Sequence, residues 1–321
     1  MTRYLAEEGD VSMRGRSPAE LVMGSVQLGL AYGAANRTGK PSHETALRLV
    51  HQAVAGGISQ FDTARAYGDS EDRLGEALAD RKDVRTITKL SALSELAPNA
   101  SRDEVHAAVD ASIDESLNAL RRGRLDCLLL HRAEHMHAFG GAVWQRLIER
   151  LEDGSVLSLG VSVQNPLEAL AALACPDVVH LQLPFNLLDW RWRKAGFKTC
   201  LASRHNVTVH ARSTYLQGIL ASNDVRVWPR IDGVYPQALI NIIAGLAHQL
   251  GREGAADLCL AYARGQDWID GVVVGLETEE QLDDNLRLFI KRPLSADECA
   301  LVEARIPHLP IALLNPAAWP K

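Results

Sequence analysis

The sequence offers little that would tie the chain to a special compartment or a macromolecular partner. Five cysteines stand among its 321 residues, Cys127, Cys175, Cys200, Cys259 and Cys299. The number is odd and no two sit at CxxC spacing. That excludes a disulfide scaffold and a zinc knuckle and fits a reduced cytoplasmic protein. No apolar run reaches the roughly 18 residues a membrane span needs. The opening stretch, MTRYLAEEGDVSMRGRSPAE, is polar and lacks the apolar core of a secretory signal. Basic charge is not in excess: 34 Lys and Arg stand against 40 Asp and Glu, a net charge of −6. Nucleic acid and anionic membranes are therefore not expected as partners. With 24 Gly and 13 Pro, wholesale disorder is not expected either. No repeat, low-complexity tract or break in composition marks a second domain.

What is present is alternation. Short apolar runs read as strands at 21–30, 58–62, 84–90, 125–131, 155–163, 177–183, 206–212 and 269–275. Capped amphipathic runs read as helices at 42–57, 69–81, 101–123, 139–154 and 166–174. The run at 101–123 places apolar residues at 105, 109, 113, 117 and 120 on one face. A further helix is expected within 187–204, then helices near 235–250, 253–265, 277–290 and 295–305.

Eight strands, apolar on both faces and each followed by helix, suit buried parallel pairing. The choice lies between an open doubly wound sheet and a closed barrel. The open sheet usually carries G-x-G-x-x-G after its first strand, and LGLAYGAANRTGK has the wrong glycine spacing. The expected fold is a single α/β domain, a (β/α)8 TIM barrel over 21–321 with an extra C-terminal helix, preceded by a polar extension, 1–20. A long link at 219–234 follows the seventh strand, where loops often cover a ligand.

In such a barrel the active site lies at the C-terminal strand ends. Four titratable groups fall there: Asp62 and Tyr67 after strand two, Lys89 at the end of strand three, His131 at the end of strand four. Singly, each has a plainer reading: Asp62 a turn cap, Tyr67 surface packing, Lys89 a solvated lysine, His131 a core histidine. Together, and in the company of GSVQLG, FDTARAYGDSEDRLGEAL, ITKL, DCLLLHR, GVSV, LQLPFNLLD, ARSTYLQGIL and VVVGLETEEQLDDNL, they resemble the aldo-keto reductases over about 21–290. The resemblance implies an enzyme that reduces an aldehyde or ketone to an alcohol with NADP or NAD as cofactor.

The chemistry supports those roles. A free phenol, pKa about 10, is a slow acid at neutral pH. A neighbouring ammonium stabilises the phenolate and lowers that value. Tyr67 would then be the general acid, Lys89 its tuner and Asp62 the partner that keeps Lys89 charged. His131 would donate to the carbonyl oxygen.

Resemblance also assigns the cofactor side. Ser162 and Gln182 would hold the nicotinamide amide. Where the family often has Asn after that serine, this chain has Val163, with Gln164 and Asn165 following. Arg212 stands where many members stack a tyrosine on the nicotinamide, and an arginine plane can also stack or reach a phosphate. Ser213, Leu216, Gln217 and Gly218 would line the pyrophosphate. Gly275, Glu277, Thr278, Gln281 and Asn285 match the adenosine segment, although Thr278 also reads as a helix cap. Many members preferring NADPH place Lys, Ser and Arg here, whereas this chain has Gly275, Leu276 and Gln281 beside Glu277, Glu279 and Glu280. NADH or dual use follows as an expectation.

A small-molecule carbonyl pocket is expected from Tyr32, the 132–140 loop, Phe185, Trp190, Trp192 and the 219–234 loop, with packing on the barrel exterior as the other reading of the two tryptophans. A barrel that binds the dinucleotide as a sensor, with little turnover, is the non-enzyme alternative. A metal-dependent barrel hydrolase is the rival enzyme class, since His131, His135, His137, His180 and His210 are metal-ligand types. Against it, the HxH that opens many such sites is absent after strand one. Soaking in a chelator separates these classes: a reductase keeps its activity, a metal hydrolase loses it.

Overall fold

Eight short parallel strands close on themselves, each hydrogen-bonded to its sequence neighbours and β8 to β1. They are β1 (Glu20–Gly24), β2 (Gln60–Asp62), β3 (Arg85–Lys89), β4 (Cys127–Leu130), β5 (Leu159–Ser162), β6 (Val178–Pro184), β7 (Thr208–Arg212) and β8 (Gly271–Gly275). The computed structural model describes residues 19–193 and 195–320. Of the expected extension, only residues 19 and 20 fall within these: Ala19 is buried and Glu20 opens β1.

The helices are α1 (Val26–Gly29), α2 (His43–Ala55), α3 (Ser70–Ala77), α4 (Arg102–Ala119), α5 (Ala142–Glu152), α6 (Pro166–Leu173), α7 (Ala195–Ala202), α8 (Pro236–Gln249), α9 (Ala255–Arg264), α10 (Glu279–Phe289) and α11 (Ala296–Arg305). Their starts follow from local chemistry. Ser42 accepts from the Thr45 amide, Ser101 and Ser295 form capping boxes with Glu104 and Glu298, and Asn165 caps α6 ahead of Pro166. The expected face of α4 is the buried one, through Val105, Val109 and Ile113. No helix among the described residues is long and apolar enough to cross a membrane.

Two expectations are corrected. The first apolar run does not continue as a strand to residue 30. It stops at Gly24, because the Ser25 hydroxyl bonds the Asp62 carbonyl and Val26–Gly29 then winds into α1 across the barrel mouth. The 219–234 link is not a plain loop but holds two short 3-10 turns, Ile219–Ala221 and Val225–Val227.

Most apolar burial lies between strands and helices, and a small separate group, Ile87, Cys127 and Leu129, fills the barrel interior. Beside it, His180 and His210 pack edge to face with ring centroids 4.3 Å apart. Each histidine pairs with a glycine on the adjoining strand, His180 with Gly160 and His210 with Gly271, and the His210 ring occupies space that Gly271 leaves free. A Cβ at Gly160 would fall 2.2 Å from the His180 carbonyl oxygen, and one at Gly271 2.7 Å from the His210 ring. Both sites are therefore closed to a methyl group.

Gly160→Ala and Gly271→Ala are each expected to lower stability by about 1–3 kcal/mol, read by urea unfolding. Adding His210→Ala to Gly271→Ala should recover part of that loss. No such rescue is expected for Gly160→Ala, whose obstacle is backbone.

Candidate active site

The strand ends bring the charged groups together. Lys89 closes β3 and Asp62 closes β2, and both are buried, 1% and 4% exposed. The Lys89 ammonium donates to both Asp62 oxygens, at 2.7 and 2.8 Å, and to the Thr63 carbonyl at 2.8 Å. Its Nζ stands 5.0 Å from the centre of the Tyr67 ring. Burial pulls the Lys89 pKa down, but the Asp62 carboxylate, the Tyr67 phenol and the hydrogen bonds to Asp62 outweigh it and leave the pKa raised. The ammonium is thus held charged beneath Tyr67.

Tyr67 is fixed by its loop. Its amide bonds the Ala64 carbonyl, and its own carbonyl accepts from Ser70. The Ser25, Ser70 and Thr63 hydroxyls form a buried chain under that turn. Gly29, at the end of α1, lies against it so closely that a Cβ there would fall 1.7 Å from the Tyr67 carbonyl oxygen. His131, just beyond β4, sets its ring edge to face with Tyr67, centroids 5.8 Å apart. Burial, then the charges of Lys89 and Arg212, push the His131 pKa down to about 3. The imidazole is neutral at neutral pH and keeps one N–H to donate.

Asp62, Tyr67 and His131 open on a cleft of about 1510 Å³. Of the other expected residues, Tyr32, Ser162, Arg212, Ser213, Leu216, Gln217, Gly218, Gly275, Glu277, Gln281 and Asn285 line it. Ser213, Leu216 and Gln217 have positive φ (63°, 46° and 55°), as does Gly218 (87°). Left-handed backbone at three non-glycine positions is strained and is held by its surroundings. The Ala35 amide bonds the Gln217 carbonyl at 3.2 Å, and Arg37 meets Asp224 at 2.8 Å, so the loop after β1 closes onto the loop after β7. Arg212 is deeply set, with burial lowering its pKa, and its guanidinium bonds the Val163 carbonyl at 3.2 Å.

Other expected residues lie elsewhere. Gln182 is fully buried below the cleft and donates to Asp62 at 2.7 Å, while its Oε1 has no partner among the described residues. Thr278 caps α10 by accepting from the Gln281 amide and is not on the cleft wall. Phe185, Trp190 and Trp192 are not on it either, because the chain after β6 turns outward. Phe185 stacks on Tyr262, Trp190 lies on His308 and donates to the Leu309 carbonyl, and Trp192 is buried against Phe197 and Asp189. Asn165 is taken up as the cap of α6, which leaves Gln164 on the cleft. No three potential metal ligands come together among the described residues.

The 132–140 loop lines the cleft as expected, through Arg132 and His137, and the cleft also uses residues that motif spacing does not reveal: Gln27, Thr214, Tyr215, Glu253 and the C-terminal stretch 315–317. The Tyr215 hydroxyl donates to Asn285 at 2.8 Å, joining segments 70 positions apart.

A closed parallel barrel with a buried lysine–carboxylate pair under a tyrosine at its mouth defines a class of carbonyl-reducing barrels. The aldo/keto reductase family model matches residues 20–306, and the chain belongs to that family of oxidoreductases. L-glyceraldehyde 3-phosphate reductase of Escherichia coli is 23% identical over 296 residues, covering 82% of this chain and 84% of that protein. The 6-dehydroglucose reductase of Novosphingobium aromaticivorans is 32% identical over 125 residues, 36% of this chain and 41% of that protein. The fold is shared with an aldo-keto reductase of Bacillus halodurans solved in its holo form, at a TM-score of 0.71 and 21% identity, over 93% of this chain and 98% of that one.

The buried imidazoles set an acid limit on stability. His131 and His210 are pushed down to about 3 and His180 well below its ordinary value, in each case chiefly by burial. They stay neutral in the fold while the unfolded chain binds protons near pH 6.5. Their contribution is present above about pH 6.5 and lost progressively toward pH 3. Urea unfolding at pH 7.5, 6.5 and 5.5, above the carboxylate range, should show stability falling at the lowest pH. A flat profile would contradict the burial argument.

Proposed function

We propose that the chain reduces a small, polar, sugar-like aldehyde or ketone to its alcohol, with NADPH or NADH as hydride donor and Tyr67 as the acid. The observation that carries this reading is the Lys89 ammonium, clamped on Asp62 and 5.0 Å from the Tyr67 ring. Tyr67 gives its phenolic proton to the carbonyl oxygen as that oxygen takes on charge. Lys89 stabilises the phenolate left behind, and Asp62 keeps Lys89 charged and placed. Neutral His131 donates a hydrogen bond to the same oxygen and orients it.

The cleft fits a dinucleotide. Buried polar atoms with no partner among the described residues, Gln27 Oε1, Gln182 Oε1 and Thr214 Oγ1, belong to residues on the cleft or directly beneath it. Ser162 would hold the carboxamide, with Gln182 beneath it engaged on Asp62, Arg212 would face the nicotinamide, and the left-handed run through Ser213, Leu216, Gln217 and Gly218 would present backbone to the pyrophosphate. Gly275, Glu277, Gln281 and Asn285 would flank the adenosine. Bound there, the nicotinamide supplies the hydride.

The substrate class follows from what lines the catalytic end. Arg132, His137 and Gln164 are on the cleft, where Tyr32 is an aromatic neighbour of Tyr67, and the other expected aromatic side chains, Phe185, Trp190 and Trp192, are not. Such a wall favours hydroxylated carbonyls over flat aromatic ones. The relatives named for L-glyceraldehyde 3-phosphate and 6-dehydroglucose agree with that class. Five free thiols suit work in the reducing cytoplasm.

Nicotinamide oxidation should be followed with glyceraldehyde, methylglyoxal, several aldoses and 4-nitrobenzaldehyde. Tyr67→Phe is expected to lower kcat by about 10²–10⁴-fold with cofactor affinity unchanged. Tight cofactor binding without turnover of any carbonyl would instead favour a sensor.

A further inference from the structure

The end of the cleft remote from Tyr67 carries an unusual charge balance. Five charged side chains from residues 253–288 line it: the acids Glu253, Asp257, Glu277 and Asp284, and one base, Arg287. Arg287 is already committed. One of its terminal nitrogens donates to Glu253 and the other to Asp284, the latter at 3.0 Å. The next base along α10 and its end, Lys291, is bound to Glu253 and, at 3.2 Å, to Asp257. On the neighbouring helix α2, Arg48 is bound to Glu44 and Glu279.

Glu277 differs from these ion pairs. It is half-buried and gripped at two points by Gln281, whose Oε1 accepts from the Glu277 amide at 2.9 Å and whose Nε2 donates to the Glu277 carboxylate at 3.0 Å. The side-chain bond from Gln281 engages one carboxylate oxygen. A carboxylate held in this way is a ready acceptor for a sugar hydroxyl. It is also a poor neighbour for a phosphate, because the like charges repel in a partly desolvated wall.

We propose that this wall selects NADH over NADPH. Glu277, positioned by Gln281, accepts a hydrogen bond from the ribose 2′-hydroxyl. The Glu277 carboxylate, which no cation pairs among the described residues, disfavours a 2′-phosphate, and Arg287, bound to Glu253 and Asp284, is not free to offset it. The inference rests on reading the cleft as the dinucleotide site. It adds the residues that decide which dinucleotide enters. Acidic recognition of the 2′-hydroxyl is the general solution where NAD is chosen.

Equilibrium binding of NADH and NADPH, read by quenching of tryptophan fluorescence, tests this without turnover. Wild type should bind NADH at least about tenfold more tightly than NADPH. Glu277→Gln should weaken NADH and tighten NADPH, narrowing that ratio. Asp284→Asn, which releases one terminal nitrogen of Arg287, should tighten NADPH alone. Raised salt should improve NADPH binding by screening the repulsion. Circular dichroism of each variant checks that the fold is retained. Equal or tighter NADPH binding by wild type overturns the selection while leaving the cleft as the dinucleotide site. Binding of neither dinucleotide overturns the site itself, and the selection with it.

Discussion

The structure is organised around one buried ion pair. Removing an ammonium from water costs several kcal/mol unless a partner and further hydrogen bonds compensate. Lys89 has both: the two oxygens of Asp62 and the carbonyl of Thr63. The pair joins the ends of two adjoining strands, and Gln182 reaches it from β6. A lysine so compensated stays protonated inside a protein, which is the condition for it to act on a phenol. Removing Asp62 would leave a lone charge in the barrel, a defect of both folding and chemistry.

The tyrosine above the pair depends on a different kind of contact. Tyr67 is on a turn, and a turn alone would not hold a phenol in place. Here the turn is pinned from beneath by the hydroxyls of Ser25, Ser70 and Thr63, and from the side by the backbone at Gly29. The short α1, inserted where an apolar run would otherwise extend as strand, brings that backbone into position. The departure of the first strand from simple periodicity is therefore part of how the site is made.

Much of this was legible in the sequence, for physical reasons. Strand ends in a parallel barrel face one rim, so Asp62, Lys89 and His131 announce a site by position. The strands and helices follow from apolar periodicity and caps such as Ser101 and Asn165. The residues that misled are those whose side is decided by tertiary packing. An aromatic after β6 can face the mouth or the outside, and the outward turn of the chain took Phe185, Trp190 and Trp192 away from the cleft. Gln182 reads as a ligand-holding amide, yet its nitrogen is engaged by a carboxylate 120 positions earlier. Nothing local marks Tyr215 as the partner of Asn285, or the stretch 315–317 as part of the cleft wall.

The glycines opposite the buried histidines have a consequence for how this sequence can drift. The side chains of positions 271 and 210 compete for one volume, whereas position 160 abuts the backbone of 180. A change that enlarges Gly271 becomes tolerable once residue 210 has shrunk. The reverse order is safer, since it passes through a cavity rather than a clash. At Gly160 the obstacle is the backbone of the next strand, and no exchange of side chains can remove it. One pair is thus negotiable along a particular path and the other is fixed, although both look alike when the strands are read as a list of small and large residues.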